Sequence, residues 1–345
     1  MRQLTFQAPG KVEWRDAAEP KLAGPGEALV RPVAVTLCDL DTVVLKGKVP
    51  AEPGMQLGHE FIAEIVELGD DVRVPAAKRY IVPFQISCGE CARCRRGLTA
   101  SCEAVPELAM YGLSAFGGGD WGGALCDLIK VPFANSMLVP LPDGVPDTAA
   151  AIGDNFSDGY RCVAEPLRRL PGASVLVVGG SGASSIGLYA CHIGKALGAS
   201  EVSYVDRNPE RLALAERLGC KAIEVSAFPR QLDPRAITVD ASSLPDGLAL
   251  ALRSTEPGGE CTVAGIYWKP TEVPMFDMYL KGVSLHVGRA HVRAVMPEVL
   301  GYLAGGLLDP SAIGVQQADW EDAPAALADP PTKLVLTRRR PGYAG

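Results

Sequence analysis

Histidine is scarce in this chain, with only His59, His192, His286 and His291 among 345 residues. A zinc centre built from three imidazoles is therefore a poor fit, and any metal chemistry has to lean on thiolate and carboxylate. Long apolar runs are missing as well. None approaches the ~20 residues that span a bilayer, and the N-terminal MRQLTFQAPGKVEW carries charges where a secretory leader is apolar. No membrane partner is expected, and the chain reads as cytoplasmic. Nor is there an excess of positive charge: 33 Lys and Arg face 40 Asp and Glu, a formal net charge of -7, which argues against a general nucleic-acid binder. Internal repeats, low-complexity tracts and long linkers are absent too. The 48% hydrophobic and 21% charged residues describe a globular protein, and its length exceeds one ordinary core, so two domains are expected.

Cysteine, by contrast, is plentiful, with ten residues. In a reducing compartment these are ligands, catalytic groups or small core residues rather than disulfides. Four of them form CGECARCRRGLTASC: Cys88, Cys91, Cys94 and Cys102, spaced C-x2-C-x2-C-x7-C. Four thiolates so close in sequence suit tetrahedral zinc, whereas iron–sulfur clusters use other spacings. Such a site has no open coordination position, so it fixes its loop and is not catalytic. Arg93, Arg95 and Arg96 on the same loop offset its negative charge. Cys126, Cys162, Cys191, Cys220 and Cys261 lack ligand spacing and are assigned to packing.

Along the chain, Val-rich segments at 28–35, 61–68 and 79–84, broken by Gly and Pro, read as irregular antiparallel sheet up to about residue 147. From about 149 the pattern turns to buried strands alternating with helices, at 174–178, 186–197, 201–206 and 209–218. That is the signature of βαβ units and a parallel sheet. A helix at 292–303 and a strand at 333–337 close the chain, and a strand there could return to the first domain.

Cys38, His59 and Asp154 supply one thiolate, one imidazole and one carboxylate, a set that would leave zinc a free position for substrate or water. The competing reading is a small core cysteine and a hydrogen-bonded histidine. The stretch ASVLVVGGSGASSIG is a strand, a glycine-rich turn and a helix start, in which Gly180 and Gly182 allow pyrophosphate close to the backbone and Ala183, Ser184, Ser185 and Ile186 open the helix. Asp206 ends the next strand, where a carboxylate holds the adenosine ribose hydroxyls and repels a 2′-phosphate; Arg207 and Arg211 follow it as further cofactor contacts. This favours NAD over NADP. Ser185 occupies the third glycine position of G-x-G-x-x-G, and Gly187 comes two positions late, so an enlarged turn is expected.

The order of Cys38, Gly58-His59-Glu60, the four-cysteine lobe, Gly159-Tyr160, the nucleotide turn and the tail VMPEVLGYLAGGLLDPSAI resembles the zinc-containing medium-chain alcohol dehydrogenases over nearly the whole chain. The resemblance implies an α/β protein with a GroES-like, mainly β catalytic domain (1–153 and 290–345, including the lobe at 84–105) and a doubly wound Rossmann domain (154–289). Their cleft would hold catalytic zinc and nicotinamide. It further implies two zinc ions per chain, with Cys38, His59 and Asp154 as catalytic ligands and Glu60 as a neighbouring carboxylate able to approach the metal. Arg293 is implied near the pyrophosphate, the substrate is an alcohol or carbonyl compound, and the assembly is a homodimer or homotetramer. One departure bears on chemistry: Leu40 stands where the family places a Ser or Thr that relays the alcohol proton, and leucine cannot pass one. This motivates a competing reductase acting on an activated C=C or C=N bond. A non-catalytic nucleotide-binding protein is the alternative of another class.

Overall fold

The computed structural model describes residues 1–181 and 184–338; Gly182 and Ala183 of the nucleotide turn lie outside the described residues. The chain forms two compact units. One comprises Met1–Ser157, His291–Ser311 and the tail from Val315, and the other Asp158–Ala290 with Ala312–Gly314.

The first unit is built on a seven-stranded sheet whose central strand, Ala28–Thr36, is buried on both faces apart from Arg31. Its sequence ALVRPVAVT is apolar throughout for that reason. Pro32 cannot donate to a ladder, and it sits where the pairing with Glu60–Leu68 shifts register. On its other side the strand pairs antiparallel with Leu334–Thr337, 300 residues on in sequence, at Thr36↔Val335. Apolar side chains from both ends of the chain therefore share one core, in which Leu4, Val35, Phe61, Leu125, Trp320 and Leu336 are buried.

The second unit holds six parallel strands in the order Lys221–Glu224, Val202–Asp206, Val175–Val178, Arg235–Asp240, Thr255–Val263 and Ser284–Val287. This is the doubly wound arrangement, with the first strand at the centre and the order reversing beside it. Ligands of such sheets bind beyond the carboxyl ends of the strands, where Gly180, Asp206 and Asp240 all fall. The expected late glycine also has a physical role. A Cβ on Gly187 would stand 3.1 Å from that of Ala241 and 3.4 Å from Val177 Cγ1, so the helix Ser184–Ala196 packs closely on the sheet and a side chain there would force Ala241 to give way slightly. Cys126, Cys162, Cys191, Cys220 and Cys261 are all buried.

Candidate functional site

In the first unit, three segments converge on one buried point. Cys38 follows the central strand and caps the short helix Asp39–Leu45; its sulfur accepts the Leu40 N–H at 3.4 Å, and Asp41 Oδ2 accepts the Cys38 N–H at 3.0 Å. His59 is seated by Gly58, whose φ of +87° and 3.0 Å clearance to Leu125 and Val35 admit no side chain. Asp154 ends the 3₁₀ turn Asp147–Gly153. The donor atoms of Cys38, His59 and Asp154 all lie within 4.8 Å of one another, and all three residues are buried.

His59 uses its two nitrogens differently. Nε2 faces Asp154 Oδ2 at 3.3 Å, while Nδ1 faces Asp41 Oδ1 at 3.5 Å. Nδ1 and Asp41 Oδ1 are both buried without another hydrogen-bond partner. Burial alone would lower the imidazole pKa, yet the Asp41 and Asp154 carboxylates push it up to about 10. Burial also drives the Cys38 thiol well above its ordinary range, reinforced by Asp154 and Asp41. A thiol and two carboxylates thus share a desolvated space with a single imidazolium to balance them. That donor set and its charge deficit fit a divalent cation, which would displace the protons of Cys38 and His59. The Phe84 ring, 5.4 Å from that of His59 between centroids, walls one side.

Glu60 stands outside this group of three. Its Oε1 accepts the Asn155 N–H at 2.8 Å, and its Oε2 accepts from Thr36 Oγ1 and, at 2.5 Å, from Lys333 Nζ. Lys333 also donates to the Leu37 carbonyl at 2.6 Å, and both members of the ion pair have no solvent exposure. Burial would depress the Lys333 ammonium, but the Glu60 carboxylate more than offsets it and holds the pKa above the ordinary lysine value.

The four cysteines of the lobe likewise gather, with Cys88, Cys91, Cys94 and Cys102 sulfurs all within 4.8 Å of one another. Backbone N–H groups point at the sulfurs. Cys88 Sγ accepts from Cys91 at 3.4 Å, Cys91 Sγ from Cys94 and Glu103 at 3.4 Å each, and Cys102 Sγ from Cys88 at 3.3 Å. The N–H groups of Glu103 and Cys94 pull the Cys91 thiol down to about 6. Burial pushes the Cys94 and Cys102 thiols up instead, so it is the clustering of four sulfurs, with N–H donors aimed at them, that suits a soft four-coordinate metal.

In the second unit, a Cβ on Gly180 would come within 2.8 Å of Ser242 Cα, so only glycine fits at this turn. Ser185 and Ile186 are buried in the helix behind it. Asp206 is fully buried, and Arg211 grips it through Nε and Nη2 at 2.7 and 2.8 Å while Nη2 also reaches the Gly180 carbonyl at 2.7 Å. Arg207 is exposed, with its guanidinium 4.5 Å above the Phe228 ring. Arg293 belongs to the first unit and donates through Nε to the Ser136 carbonyl; burial lowers its pKa.

Known proteins carry the same two parts. Residues 24–143 match the alcohol dehydrogenase GroES-like domain, and residues 185–304 match the zinc-binding dehydrogenase family. The alcohol dehydrogenase TADH from Thermus sp. ATN1 superposes with a TM-score of 0.87 at 30% identity, covering 98% of this chain and all of that one. The chain belongs to the zinc-containing medium-chain alcohol dehydrogenase family. A probable zinc-binding alcohol dehydrogenase of Mycobacterium tuberculosis is 28% identical over 321 residues, 91% of this chain and 81% of that protein. A glutathione-independent formaldehyde dehydrogenase of Pseudomonas aeruginosa is 31% identical over 241 residues, 65% and 59% of the two chains.

As a member of this family the protein is an NAD(P)-dependent oxidoreductase with GroES-like and Rossmann parts, and among the described residues no helix is long and apolar enough to cross a membrane. Two residues at the site of this dehydrogenase escaped the reading of its sequence. Asp41 had a local signal, because a carboxylate three residues after a capping Cys38 completes a capping box. Lys333 had none: nothing in TKLVLT says that its lysine runs inward to meet a glutamate 273 residues away.

Proposed function

We propose that this dehydrogenase interconverts an alcohol, of the secondary, polyol or sugar-like class, and its carbonyl compound, using NAD and two zinc ions per chain. The observation that carries this reading is the buried grouping of Cys38, His59 and Asp154, three protein ligands where a closed site would have four. Bound there, zinc supplies a Lewis acid that polarises the substrate oxygen, and NAD supplies the hydride acceptor. The chain's own residues do the rest. Asp41, 3.5 Å from Nδ1 of His59, favours the proton staying on Nδ1 and so leaves Nε2 for the metal. Cys38 and Asp154 bring two negative charges, which neutralise a divalent ion and leave it more electrophilic than a more anionic ligand set would.

Leu40 offers the site a backbone N–H to the Cys38 sulfur and no side-chain proton acceptor. Glu60 is engaged by Lys333, Thr36 and Asn155. The alcohol proton therefore leaves through Asp39, Thr42 or water. The second group, Cys88, Cys91, Cys94 and Cys102, holds a structural zinc ion. A panel of secondary alcohols and polyols with NAD tests the proposal: NADH formation that chelation removes is expected. Turnover confined to enones or iminium compounds would overturn it in favour of C=C or C=N reduction.

The assembly we propose is a homodimer formed through the second unit. Among the described residues its outer strand Ser284–Val287 pairs only on the Thr255–Val263 side, and Val287 is 74% exposed. The preceding helix Met275–Lys281 displays Phe276 at 71% and Tyr279 at 79% exposure. An open strand edge beside exposed apolar side chains invites a second copy. Sedimentation should show a dimer that becomes monomeric on the double change Phe276→Glu and Tyr279→Glu; an unaltered dimer would place the interface elsewhere.

A further inference from the structure

Of the buried cysteines outside the two metal groups, Cys191 and Cys220 face each other, so packing is not their whole role. Cys191 lies in the helix Ser184–Ala196, and Cys220 stands in the turn between the helix Pro209–Arg217 and the strand Lys221–Glu224. The two helices pack together, and the two thiol side chains are hydrogen-bonded to one another. Both are free of any disulfide. The pair is asymmetric. Cys191 has no solvent exposure, whereas Cys220 keeps 7% of its surface open. A Cβ on Gly219 would stand 3.9 Å from Lys195 Nζ, so an ammonium group lies beside the peptide leading into Cys220. The hydrogen bond from Cys191 draws the Cys220 thiol below its ordinary value; burial opposes this and the Lys195 charge assists it. Burial holds the Cys191 thiol well above its own ordinary value. One sulfur is therefore the nucleophile, and the other keeps its proton behind it. A sulfur of thiolate character that reaches solvent beside a second thiol is the arrangement of a redox-sensitive pair.

We propose that Cys220 is a site of oxidation by hydrogen peroxide and Cys191 its resolving partner, the two closing a reversible disulfide within the second unit. In the first step the Cys220 thiolate attacks a peroxide oxygen. An S–O bond forms as the O–O bond breaks, leaving a sulfenic acid and releasing hydroxide. In the second step the Cys191 sulfur attacks the Cys220 sulfur, the S–S bond forms, and the oxygen departs as water with the Cys191 proton. Peroxide is reduced by two electrons, one from each sulfur. In reducing surroundings the bond is transient, because a dithiol reductant undoes it by exchange. While it lasts, it ties the helix that follows the nucleotide turn to the segment entering Lys221–Glu224.

The test exposes the purified, intact enzyme to hydrogen peroxide, blocks the remaining thiols by alkylation and maps the peptides by mass. The peptides carrying Cys191 and Cys220 should appear joined, about 2 Da lighter than their sum, and separate again after dithiothreitol. Cys191→Ser removes the resolving sulfur, so its Cys220 should accumulate as sulfinic acid, about 32 Da heavier, where the wild type forms the disulfide instead. The wild-type linkage decides the proposal even where the variant is unstable. A Cys220 that stays reduced while other cysteines oxidise, or that joins a different cysteine, would overturn it. So would sulfinic acid forming at Cys220 as fast in the wild type as in Cys191→Ser.

Discussion

Cys38→Ser is expected to lower NAD-linked turnover by at least ~10³-fold while leaving the thermal midpoint nearly unchanged. A metal polarising a reacting oxygen is worth several kcal/mol, and each 1.36 kcal/mol is a factor of ten in rate. Stability is spared for a local reason. Cys38 is the N-cap of Asp39–Leu45, accepting the Leu40 N–H through sulfur, and serine is among the best residues for that task. The capping box with Asp41 survives the substitution. Cys91→Ser should behave in the opposite way. From residue 88 to residue 105 the loop around it buries only its own ligands Cys94 and Cys102 and the neighbouring Thr99. Metal binding, rather than apolar packing, gives such a loop its order. Zinc loss and rapid proteolytic clipping of the lobe are expected, measured against the wild-type cleavage rate. Equal destabilisation by both substitutions would contradict the division into a catalytic and a structural site.

Lys333→Met carries the second large effect. The substitution roughly conserves volume but leaves the Glu60 carboxylate buried beside Thr36 and the Asn155 N–H with its cation gone. Breaking a fully buried pair in this way costs about 3–5 kcal/mol, because the surviving charge remains desolvated. Urea unfolding of the variant should show that loss, and the double variant with Glu60→Gln should recover most of it, since removing both charges together is close to neutral. A cost below about 1 kcal/mol, the range of exposed pairs, would mean that Glu60 reaches water on losing its partner. The pair ties the tail strand to the residue beside His59, so the tail contributes to the site without supplying a ligand.

Much of this architecture was legible in the linear chain because its signals are local. The four-cysteine spacing, the buried strands alternating with helices and the acidic residue ending the second strand each fall within a few tens of residues. The displaced glycine was legible as an anomaly, and the close approach of the helix at Gly187 to Ala241 gives it a cause. What stayed hidden depends on pairings across the chain or on side-chain direction. Lys333 and Glu60 meet only because Leu334–Thr337 pairs with Ala28–Thr36, which in turn pairs with Glu60–Leu68. Asp206 was readable as an acidic residue at a strand end; that Arg211 and Tyr204 donate to it was not, because sequence gives the identity of a carboxylate and not the occupancy of its lone pairs. Glu60 illustrates the same limit, since its place beside His59 in sequence leaves open whether it faces the metal group or Lys333.

The central claim is that Cys38, His59 and Asp154 hold one zinc ion and the lobe another. Elemental analysis of the purified protein, repeated on Cys38→Ser, addresses it directly. Two zinc ions per chain in the wild type and one in the variant are predicted, with the loss of the ion accompanying the loss of turnover. A wild type with one zinc ion, or a variant that keeps both, would contradict the account.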